Sequence, residues 1–313
     1  MRRVVLFAGG VGGARLAAPL ARALGPEDEL TIVVNVGDDF EHLGLAISPD
    51  LDTVLYHLCG LADTERGWGL RDESFGTLEE LRALGGPAWF ALGNRDLATH
   101  LYRTQRRSEG APLSTITAEL VRARGVDARV RLLPVSDAPV RTMVDTDAGE
   151  LAFQSYLVER GARDRVRGFR YAGADEASPA PGVVESIAAA TQLIVAPSNP
   201  YVSILPTLAV PGIARAVAAA PGLRSGLSPL IGARAVKGPL VAMLEALGHP
   251  ATSFAALTAA GFPLDFAYLD PADAHETPHF AAAGMRVVLF PLVLRDAAAD
   301  AVARALLEPA LPG

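Results

Sequence analysis

The sequence predicts a doubly wound α/β fold, with a mostly parallel, Rossmann-like sheet and a helical insertion that covers the ligand crevice. Three observations support this prediction. Short apolar runs recur along the chain and end at glycine or proline, as strands buried on both faces do. The first two runs flank a glycine segment and a helical pattern, which together form a βαβ opening. Finally, residues 51–124 have a helical pattern. We therefore expect one domain over residues 1–313, with its core at about 1–50 and 125–313 and the insertion at about 51–124.

The opening unit is defined by its apolar spacing. Residues 3–8 form an apolar run that stops at the glycines of residues 9–13. Leucines then recur every four residues over 14–24, which predicts a helix, although Pro19 lies inside it. The apolar run at residues 30–36 predicts the second strand. The connection between two parallel strands through a helix is the basic unit of a parallel sheet.

The rest of the chain repeats these patterns. Further strands are predicted at residues 130–134, 193–197 and 287–291, each of them short and largely apolar. The clearest helices of the insertion are predicted at residues 78–84 and 113–124. Residues 145–171 alternate apolar and polar side chains around turn residues, which predicts a separate β excursion.

Composition excludes several classes of protein. Half of the residues are apolar, a fifth are charged and the net charge is −7, which argues against disorder and against sequence-independent binding of nucleic acid. No apolar run approaches the roughly 20 residues of a membrane-spanning helix, and no signal peptide follows Met1. The lone Cys59 excludes a disulfide framework and a cysteine-built zinc site. We therefore expect a cytoplasmic protein without a membrane partner.

The glycine segment is the first candidate binding motif. Gly9, Gly10, Gly12 and Gly13 lie between a strand and a helix, where glycine lets the backbone approach a phosphate and the helix N-terminus supplies N–H donors. The segment is neither a Walker A loop nor a regular dinucleotide fingerprint. The alternative is a tight turn that packs the helix on the strand.

Acidic residues follow the second strand, at the edge of the sheet where α/β proteins bind ligands. Asp38 and Asp39 are candidate Mg²⁺ ligands, or else belong to an ordinary solvated turn. Asp50 and Asp52 lie in the first turn of a predicted helix. They complement the helix dipole there, and they also offer a metal ligand or a base for a hydroxyl nucleophile.

A third polar block, residues 94–100, combines an amide, a guanidinium, a carboxylate and an imidazole. Asp96, Thr99, His100 and Arg103 fall on one face at helical spacing, a mixture that a surface helix rarely needs. An N-capped helix with an internal ion pair is the alternative reading of this block.

Two proline-flanked loops, around Ser198 with Asn199 and around Ser228, offer hydroxyl and amide groups suited to phosphates and sugars. For each of these loops taken alone, a plain turn is the better explanation, whereas together they describe a crevice built from several strand ends. No serine or cysteine shows the setting of an activated nucleophile.

Together, these blocks resemble the CofD family of 2-phospho-L-lactate transferases. The resemblance runs to about residue 295 and rests on the ordered segments GGVGGARL, VNVGDDFEHLGLAISPDLDTVLY, ERGWGL, WFALGNRDLATHL, LPVSDAPVRT, FQSYLV, APSNPYVSI and SPLIGARAVKGP. It implies a transferase of coenzyme F-420 biosynthesis. Such an enzyme moves a phospho-acid, either 2-phospho-L-lactate or enolpyruvyl phosphate, from a guanosine diphosphate-activated donor to the deazaflavin Fo and releases GMP. The resemblance also implies a requirement for Mg²⁺ and a homodimer.

The resemblance assigns roles to matching positions. The guanosine diphosphate part would be held by the glycines of residues 9–13 and by Ser198, Asn199 and Ser228. The Fo side would be lined by Asp52 and by Asn94, Arg95, Asp96 and His100. Asp50 would act as metal ligand or base, and Asp38, Asp39 and Asp50 are the candidate metal ligands.

Two departures bear on the metal site, because the family pattern has an acid where this chain has Asn94 and another where it has Ala138. The phospho-acid is left open, since 2-phospholactate, phosphoenolpyruvate and 3-phosphoglycerate differ by a few atoms. Two other functions also compete with the transferase. One is a non-catalytic, nucleotide-sugar-binding regulator on the same fold. The other is an NAD(P)-dependent oxidoreductase, which only the opening βαβ unit suggests.

Overall fold

Seven parallel strands form the central sheet of the computed structural model, which describes residues 1–308 without the side chain of Asp296. The last five residues of the predicted domain lie outside the described residues. Together with the strands of three smaller sheets, the described strands are β1 (Arg3–Ala8), β2 (Glu29–Val34), β3 (Phe40–His42), β4 (Leu45–Ile47), β5 (Val130–Pro134), β6 (Arg141–Thr146), β7 (Gly149–Ala152), β8 (Val166–Ala172), β9 (Gln192–Val195), β10 (Leu223–Leu227), β11 (Leu230–Ile231), β12 (Arg234–Ala235), β13 (Phe266–Leu269) and β14 (Arg286–Leu289).

The helices connect these strands. They are α1 (Gly10–Ala23), α2 (Pro49–Leu58), α3 (Gly76–Ala83), α4 (Asn94–Ser108), α5 (Leu113–Ala123), α6 (Val183–Ala188), α7 (Leu205–Leu208), α8 (Ile213–Ala219), α9 (Leu240–Ala246), α10 (Ser253–Ala259), α11 (Thr277–Ala282) and α12 (Asp296–Leu307). Short π-helical turns cover Ser155–Glu159 and Pro200–Ile204, and 3₁₀ turns cover Ala174–Glu176 and Pro271–Glu276.

The strand order confirms the predicted doubly wound sheet. Across the sheet it runs β5, β2, β1, β9, β10, β13, β14, and every neighbouring pair is parallel. The chain therefore adds β2 and β5 on one side of β1, and then crosses to the other side, where it adds β9, β10, β13 and β14 in turn. Ligands of such sheets bind at the carboxyl ends of the two strands where the direction reverses, which here are β1 and β9.

Burial on both faces explains why these runs form strands. Val4, Leu6 and Phe7 of β1 are almost fully buried, and so are the apolar residues of β2 and β9. Helix α1 covers one face of the sheet with Leu16 and Leu20, which also have no exposed surface. Pro19 is accommodated within this helix.

Helix α1 begins at Gly10, four residues earlier than its leucine spacing predicts. Gly10 has φ +64°, a conformation that glycine adopts without the strain other residues incur, and the Asp50 carboxylate accepts its N–H. The predicted glycine loop is thus the first turn of the helix. Strands β10 and β13 were not predicted. The arginine and glycine of β10 interrupt its apolar pattern, and β13 is a run of only four residues between Asp265 and Asp270.

The segment predicted as a helical insertion contains α2, α3, α4 and α5, with the short antiparallel hairpin β3–β4 just before it. Helix α2 packs on α1 and so also belongs to the cover of the main sheet. The predicted β excursion is an antiparallel three-stranded sheet in the order β7, β6, β8. Within residues 1–308, no single helix has the length and apolar character to cross a membrane. One pair, Pro200–Leu208 with Ile213–Ala219, meets those criteria jointly but is bent by 86°.

Replacing Gly12 should destabilise the fold itself. A Cβ at Gly12 would lie 2.2 Å from the carbonyl oxygen of Pro197, a backbone atom that cannot move aside cheaply. We expect Gly12→Ala to lower the free energy of unfolding by about 1–3 kcal/mol in urea denaturation. Gly168→Ala is the control, because no atom lies within 4 Å of its added Cβ. Equal stability of the two variants would contradict the packing role of Gly12.

Candidate functional site

The carboxyl ends of β1 and β9 are joined by Ser198. Its hydroxyl donates to the carbonyl oxygen of Gly9 over 2.7 Å, and the Gly9 N–H lies 3.4 Å from the same hydroxyl oxygen. Gly9 also has Ser203 and Asp50 against it, at 2.6 and 2.9 Å from where a Cβ would be. The structure therefore brings together Gly9, Ser198 and Asp50, three of the predicted site residues.

Close packing within the protein accounts for most of the glycine segment. Gly12 faces the Pro197 carbonyl, and a Cβ at Gly13 would lie 2.9 Å from that of Ala8. Gly10 differs, because the only atom within 4 Å of its added Cβ is the Ser203 hydroxyl oxygen at 3.8 Å. Nucleotide binding at this segment stays a prediction, and it depends on Gly10 and the helix N-terminus rather than on all four glycines.

Asn35 lies at the centre of the polar site. It directly follows β2 and is fully buried, and its amide nitrogen donates to Asp50 at 2.9 Å, to Asp38 at 3.3 Å and to the carbonyl of Val202 at 3.1 Å. Its amide oxygen accepts the N–H of Gly37 at 2.8 Å. One side chain thus orients two of the predicted carboxylates at the edge of the sheet.

Burial dominates the electrostatics of these carboxylates. It raises the pKa of Asp50, although the hydrogen bonds from Asn35 and Gly10 oppose the shift. Burial and the nearby charge of Asp50 raise the pKa of Asp38 well above its usual value. Burial also raises the pKa of Asp39 to about 7, against a hydrogen bond from Ser48. Carboxyl groups perturbed in this way cluster at functional sites.

The predicted metal ligands do not form a complete set of protein ligands. Within residues 1–308, no three acidic, histidine or cysteine side chains are grouped so that one ion could be held. Asp38 and Asp50 both accept hydrogen bonds from the Asn35 amide. Asp39 instead accepts a 2.8 Å hydrogen bond from Ser48, and its Oδ1 is buried without a hydrogen-bond partner among the described residues. Two carboxylates supplemented by substrate phosphates are a usual setting for Mg²⁺, and the pair at Asn35 fits it.

A second buried cluster links α2 to α4, and it confirms the predicted polar face of α4. The Arg103 guanidinium donates to Asp52, and the Tyr56 hydroxyl donates to Asp96 and lies 3.0 Å from that of Thr99. Arg103 is among the largest fully buried side chains of the protein, and Asp52 is 4% exposed. Asp52 is therefore engaged in an ion pair through Oδ1, while its Oδ2 is buried without a hydrogen-bond partner among the described residues.

His100 lies between the acids of this cluster. Its Nδ1 is 3.2 Å from Nη1 of Arg103 and 3.6 Å from Asp52, and its Nε2 is 3.4 Å from Asp96. Because a guanidinium only donates, Nδ1 is the acceptor and Nε2 carries the proton in the neutral ring. This arrangement holds the two helices together; of the predicted Fo-binding residues, Asp52 and His100 are buried and Asp96 is partly buried.

Asn94 and Arg95 lie on the exposed side of the same helix start. Asn94 donates to the Ser74 hydroxyl at 3.0 Å and accepts the N–H of Thr77, while Arg95 donates to the carbonyl of Arg71 at 2.6 Å. Neither joins the buried cluster, and their contact with Fo stays a prediction. Glu73 caps this helix by accepting the N–H groups of residues 95 and 96.

The side chains of the two predicted nucleotide loops are largely occupied. The Asn199 amide oxygen accepts the N–H of Tyr201 at 3.0 Å, which caps the following π-helical turn. Ser228 is buried, where its hydroxyl accepts the N–H of Leu230 and pairs with Ser253 at 2.7 Å. These side chains shape the loops, so ligand contacts there would use backbone groups.

An aromatic group stands beside Asp39, at the hairpin β3–β4. Trp89 lies 5.9 Å from Phe40 and 5.1 Å from His42 between ring centroids, and Phe90 packs edge-on against Phe40 at 4.9 Å. Burial lowers the pKa of His42, and its Nε2 is buried without a partner among the described residues. Partly exposed aromatic faces of this kind can pack against a flat ring.

Sequence reasoning missed the connecting residues of the site. Asn35 gave one signal, a polar side chain directly after an apolar strand. Arg103 was placed on the correct helix face but without its partner Asp52. Glu73 gave no local signal, and Arg141 gave none either, although its charge opposes the raised pKa of Asp39. Their partners are distant in the sequence, so only the tertiary structure reveals these contacts.

Removal of the Arg103 guanidinium should strongly destabilise the folded protein, because it leaves the buried Asp52 carboxylate without a counter-charge. We expect Arg103→Met to lower the free energy of unfolding by about 3–5 kcal/mol. Adding Asp52→Asn should restore part of that loss, since the uncompensated charge is gone. Arg106→Met on the same helix is the control, because its partners are at the surface. Urea denaturation of the parent, the single variants Arg103→Met, Asp52→Asn and Arg106→Met, and the double variant tests this, and additive losses in the double variant would contradict it.

Asp39 should make stability fall as pH rises. Its pKa is about 7 in the folded protein against a reference of 3.8, so the folded state binds the proton more tightly. The contribution of Asp39 to the free energy of unfolding is therefore fully present below about pH 4 and is lost as pH rises through about 7. In EDTA, we expect Asp39→Asn to be more stable than the parent at pH 8, by on the order of a few kcal/mol, and unchanged at pH 4. The exposed Asp145→Asn is the control, and a parallel pH profile for parent and Asp39→Asn would refute this assignment.

Comparisons with known proteins identify relatives over nearly the whole chain. The family model of 2-phospho-L-lactate transferase CofD matches residues 4–278. Proteins named phosphoenolpyruvate transferase are 44% identical in Kitasatospora aureofaciens, over 96% of this chain and 94% of the relative, and 44% identical in Streptomyces griseus, over 98% of each. One from Mycolicibacterium smegmatis is 40% identical over 96% of this chain and 95% of its own.

A solved structure shares the fold. The crystal structure of a UPF0052 family protein from Bacillus halodurans superposes with a TM-score of 0.64 over 98% of this chain and 100% of that one, at 19% sequence identity. At that identity the likeness concerns the fold alone. The family match and the curated relatives carry the assignment, and they establish that this chain belongs to the CofD family of 2-phospho-L-lactate transferases.

Proposed function

We propose that this protein transfers a phospho-acid from a guanosine diphosphate-activated donor to the deazaflavin Fo, releasing GMP, in coenzyme F-420 biosynthesis. The observation that supports it is the Asn35, Asp38 and Asp50 cluster, which lies where the sheet reverses direction, in a chain of the CofD family. Its relatives are named phosphoenolpyruvate transferase, so we take the transferred acid to be enolpyruvyl phosphate rather than 2-phospho-L-lactate.

The donor diphosphate would lie over the N-terminus of α1. Gly10 has open space beside its Cα, and the helix dipole favours negative charge at this end. Asp50 already accepts the Gly10 N–H there, so a diphosphate would be placed next to a buried carboxylate. Two anionic groups in contact require a cation between them or a proton on the carboxyl group, and the raised pKa of Asp50 favours the proton when no cation is bound.

Asp38 and Asp50 are the residues that would hold Mg²⁺, because both are buried, face one another through Asn35 and lack a basic partner among the described side chains. When bound, the ion would neutralise the diphosphate charge that repels an incoming hydroxyl and would stabilise the departing GMP. Asp39 is a weaker candidate, since it is held by Ser48 and lies near the charges of Arg103 and Arg141.

The acceptor would lie against the aromatic group of Phe40, His42, Trp89 and Phe90. A deazaflavin is flat and aromatic, and partly exposed rings adjoining Asp39 would place its polyhydroxyl side chain toward the carboxylates. A hydroxyl of that side chain would attack the phosphorus of the phospho-acid in the donor. The bond from this phosphorus to the bridging oxygen of GMP would break as the new bond forms, and an adjoining carboxylate would take the proton of the attacking hydroxyl.

The described residues favour a single displacement over a covalent intermediate. Ser198 and Ser228 are committed to hydrogen bonds inside the protein, and burial raises the pKa of the Cys59 thiol, which disfavours its reactive form. Phosphoryl-type transfer depends mainly on positioning and charge neutralisation. In this scheme Asp52 and Arg103 act through the positions of α2 and α4 rather than by touching the substrates.

The decisive experiment offers Fo with each of three guanosine diphosphate-activated acids, the enolpyruvyl, lactyl and glyceryl forms, in the presence of Mg²⁺. We expect one dominant product mass, the enolpyruvyl adduct, with GMP released in equal amount. EDTA should abolish turnover reversibly, and a donor chiral at the attacked phosphorus should give inverted product. Absence of any product, with tight binding of a nucleotide sugar, would instead support the non-catalytic regulator.

Asp50→Asn should separate the roles of the two acids of α2. The change keeps the size of the side chain but removes a metal-binding charge, so we expect kcat/KM to fall at least about a hundredfold. Asp52→Asn is the matched variant, and we expect it to lose stability more than turnover at temperatures where it is folded. Thermal melts of both variants accompany the kinetics. Full activity of a folded Asp50→Asn would remove Asp50 from the proposed chemistry.

A further inference from the structure

A cavity is lined by residues that lie outside the Asn35 cluster. Its volume is about 440 Å³, and it opens between α1, the C-terminal end of α2, the segment at residues 60–71 and the start of α12. Its size is within the range of small-molecule sites. None of the residues predicted for the nucleotide, Fo or metal sites lines it. It is therefore a feature that the proposed function leaves unexplained.

The cavity is strongly basic in a protein that is acidic as a whole. Arg15, Arg22, Arg71 and Arg295 line it, and Glu65 is the one carboxylate among its described lining residues. The chain carries a net charge of −7, so this excess of positive charge is local to the cavity. Among the described side chains, Arg22 pairs with Asp300 at 2.6 Å just outside the lining, and Arg71 lies 3.9 Å from Asp72. An excess of positive charge faces the space.

Arg15 is the group whose charge is least compensated. Within the part of the chain that the structure describes it forms no ion pair, and its contact is a 3.3 Å hydrogen bond to the carbonyl of Thr64. Burial and the nearby charge of Arg295 lower the pKa of Arg15. Two like charges held together at a partly buried position disfavour each other, and an anion between them would relieve that cost.

His57 adds an unused polar atom to the same wall. Its Nδ1 is 2.9 Å from the carbonyl oxygen of Thr53, so this nitrogen carries the proton. Its Nε2 is buried and has no partner among the described residues. This nitrogen can accept a hydrogen bond from a ligand hydroxyl, or donate one if an anion draws a second proton to the ring.

We propose that this cavity binds a small phosphorylated molecule, whose phosphate or diphosphate group is held by the guanidinium groups of Arg15 and Arg71. Phosphate fits this wall, because it has the charge to match several guanidiniums and offers oxygen atoms to their paired N–H groups. The volume exceeds what a bare phosphate ion fills, so the ligand has a further part that lies against Ala18, Pro19 and Leu294. The site is independent of the proposed function.

Titration calorimetry with inorganic pyrophosphate tests the site, using the whole chain at low ionic strength and without Fo or any donor. We expect saturable binding with one site in this cavity. Arg15→Gln and Arg71→Gln should each raise the dissociation constant about tenfold to a hundredfold, the scale of a lost hydrogen bond to a charged group. Arg170→Gln is the control, because Arg170 pairs with Glu150 on the separate three-stranded sheet, and it should bind as the parent does.

If Arg15→Gln fails to fold, Arg71→Gln still tests the site. The Arg71 side chain is 61% exposed and contributes little to packing, so this variant should fold. Binding of pyrophosphate that is unchanged in both variants would overturn the proposal, as would the absence of any binding to the parent. A repeat with saturating GDP separates this site from the proposed donor site. Binding that persists supports a distinct site, and full competition would assign the anion to the donor site instead. A failure of the transferase assay would leave these outcomes intact.

Discussion

The amide of Asn35 is the interaction on which the site depends. It holds Asp38 and Asp50 at the end of β2 and reaches the π-helical turn after β9 through Val202. Asp50 in turn accepts the first N–H of α1, so the starts of α1 and α2 are fixed to each other. Without this amide, two buried carboxylates would face one another with no shared donor, at a cost in free energy that few folds can absorb. One buried side chain thus sets the geometry of the reversal point of the sheet.

The first turn of α2 connects two electrostatic environments. Asp50 faces the Asn35 cluster, where burial makes the charged form costly, and Asp52 faces Arg103, where the opposite charge compensates for burial. Asp39 lies between them and is influenced by Arg103 and Arg141. This arrangement keeps one set of carboxylates poorly compensated, which favours binding of a cation or a proton, while the other set joins helices. Two acids only two residues apart in sequence are therefore suited to different tasks.

The glycine segment shows how a family signature and its physical basis can differ. Gly9, Gly12 and Gly13 are required because Ser203, the Pro197 carbonyl and Ala8 approach them closely. These contacts join β1, α1 and the loop after β9, and they form the base of the crevice at the carboxyl ends of β1 and β9. Only Gly10 has the free space and left-handed backbone expected where a ligand meets the chain. The motif thus serves mainly to assemble the crevice.

The sequence by itself determined the fold class, the first βαβ unit and most strands of the sheet. Those features follow from local apolar spacing, which burial on both faces of a parallel sheet imposes on each strand. It also determined the polar face of α4 and, through the resemblance of its ordered motifs, the family. Strands β10 and β13 were missed, because arginine and glycine interrupt the apolar pattern of β10 and because β13 is a run of only four residues. The start of α1 was misplaced because Asp50, far along the chain, satisfies its first N–H.

Only the tertiary structure decided which polar residues meet. Asp52 pairs with Arg103 across 51 positions, and Glu73 caps α4 from 22 positions away. The tertiary structure also separated Asn94 and Arg95 from the buried face of their own helix, and it formed the basic cavity from three segments that are distant in sequence. Local spacing reports which face of an element is buried, because burial acts on each element in turn. It does not report the partner of a charge, because that choice depends on how the whole chain is folded.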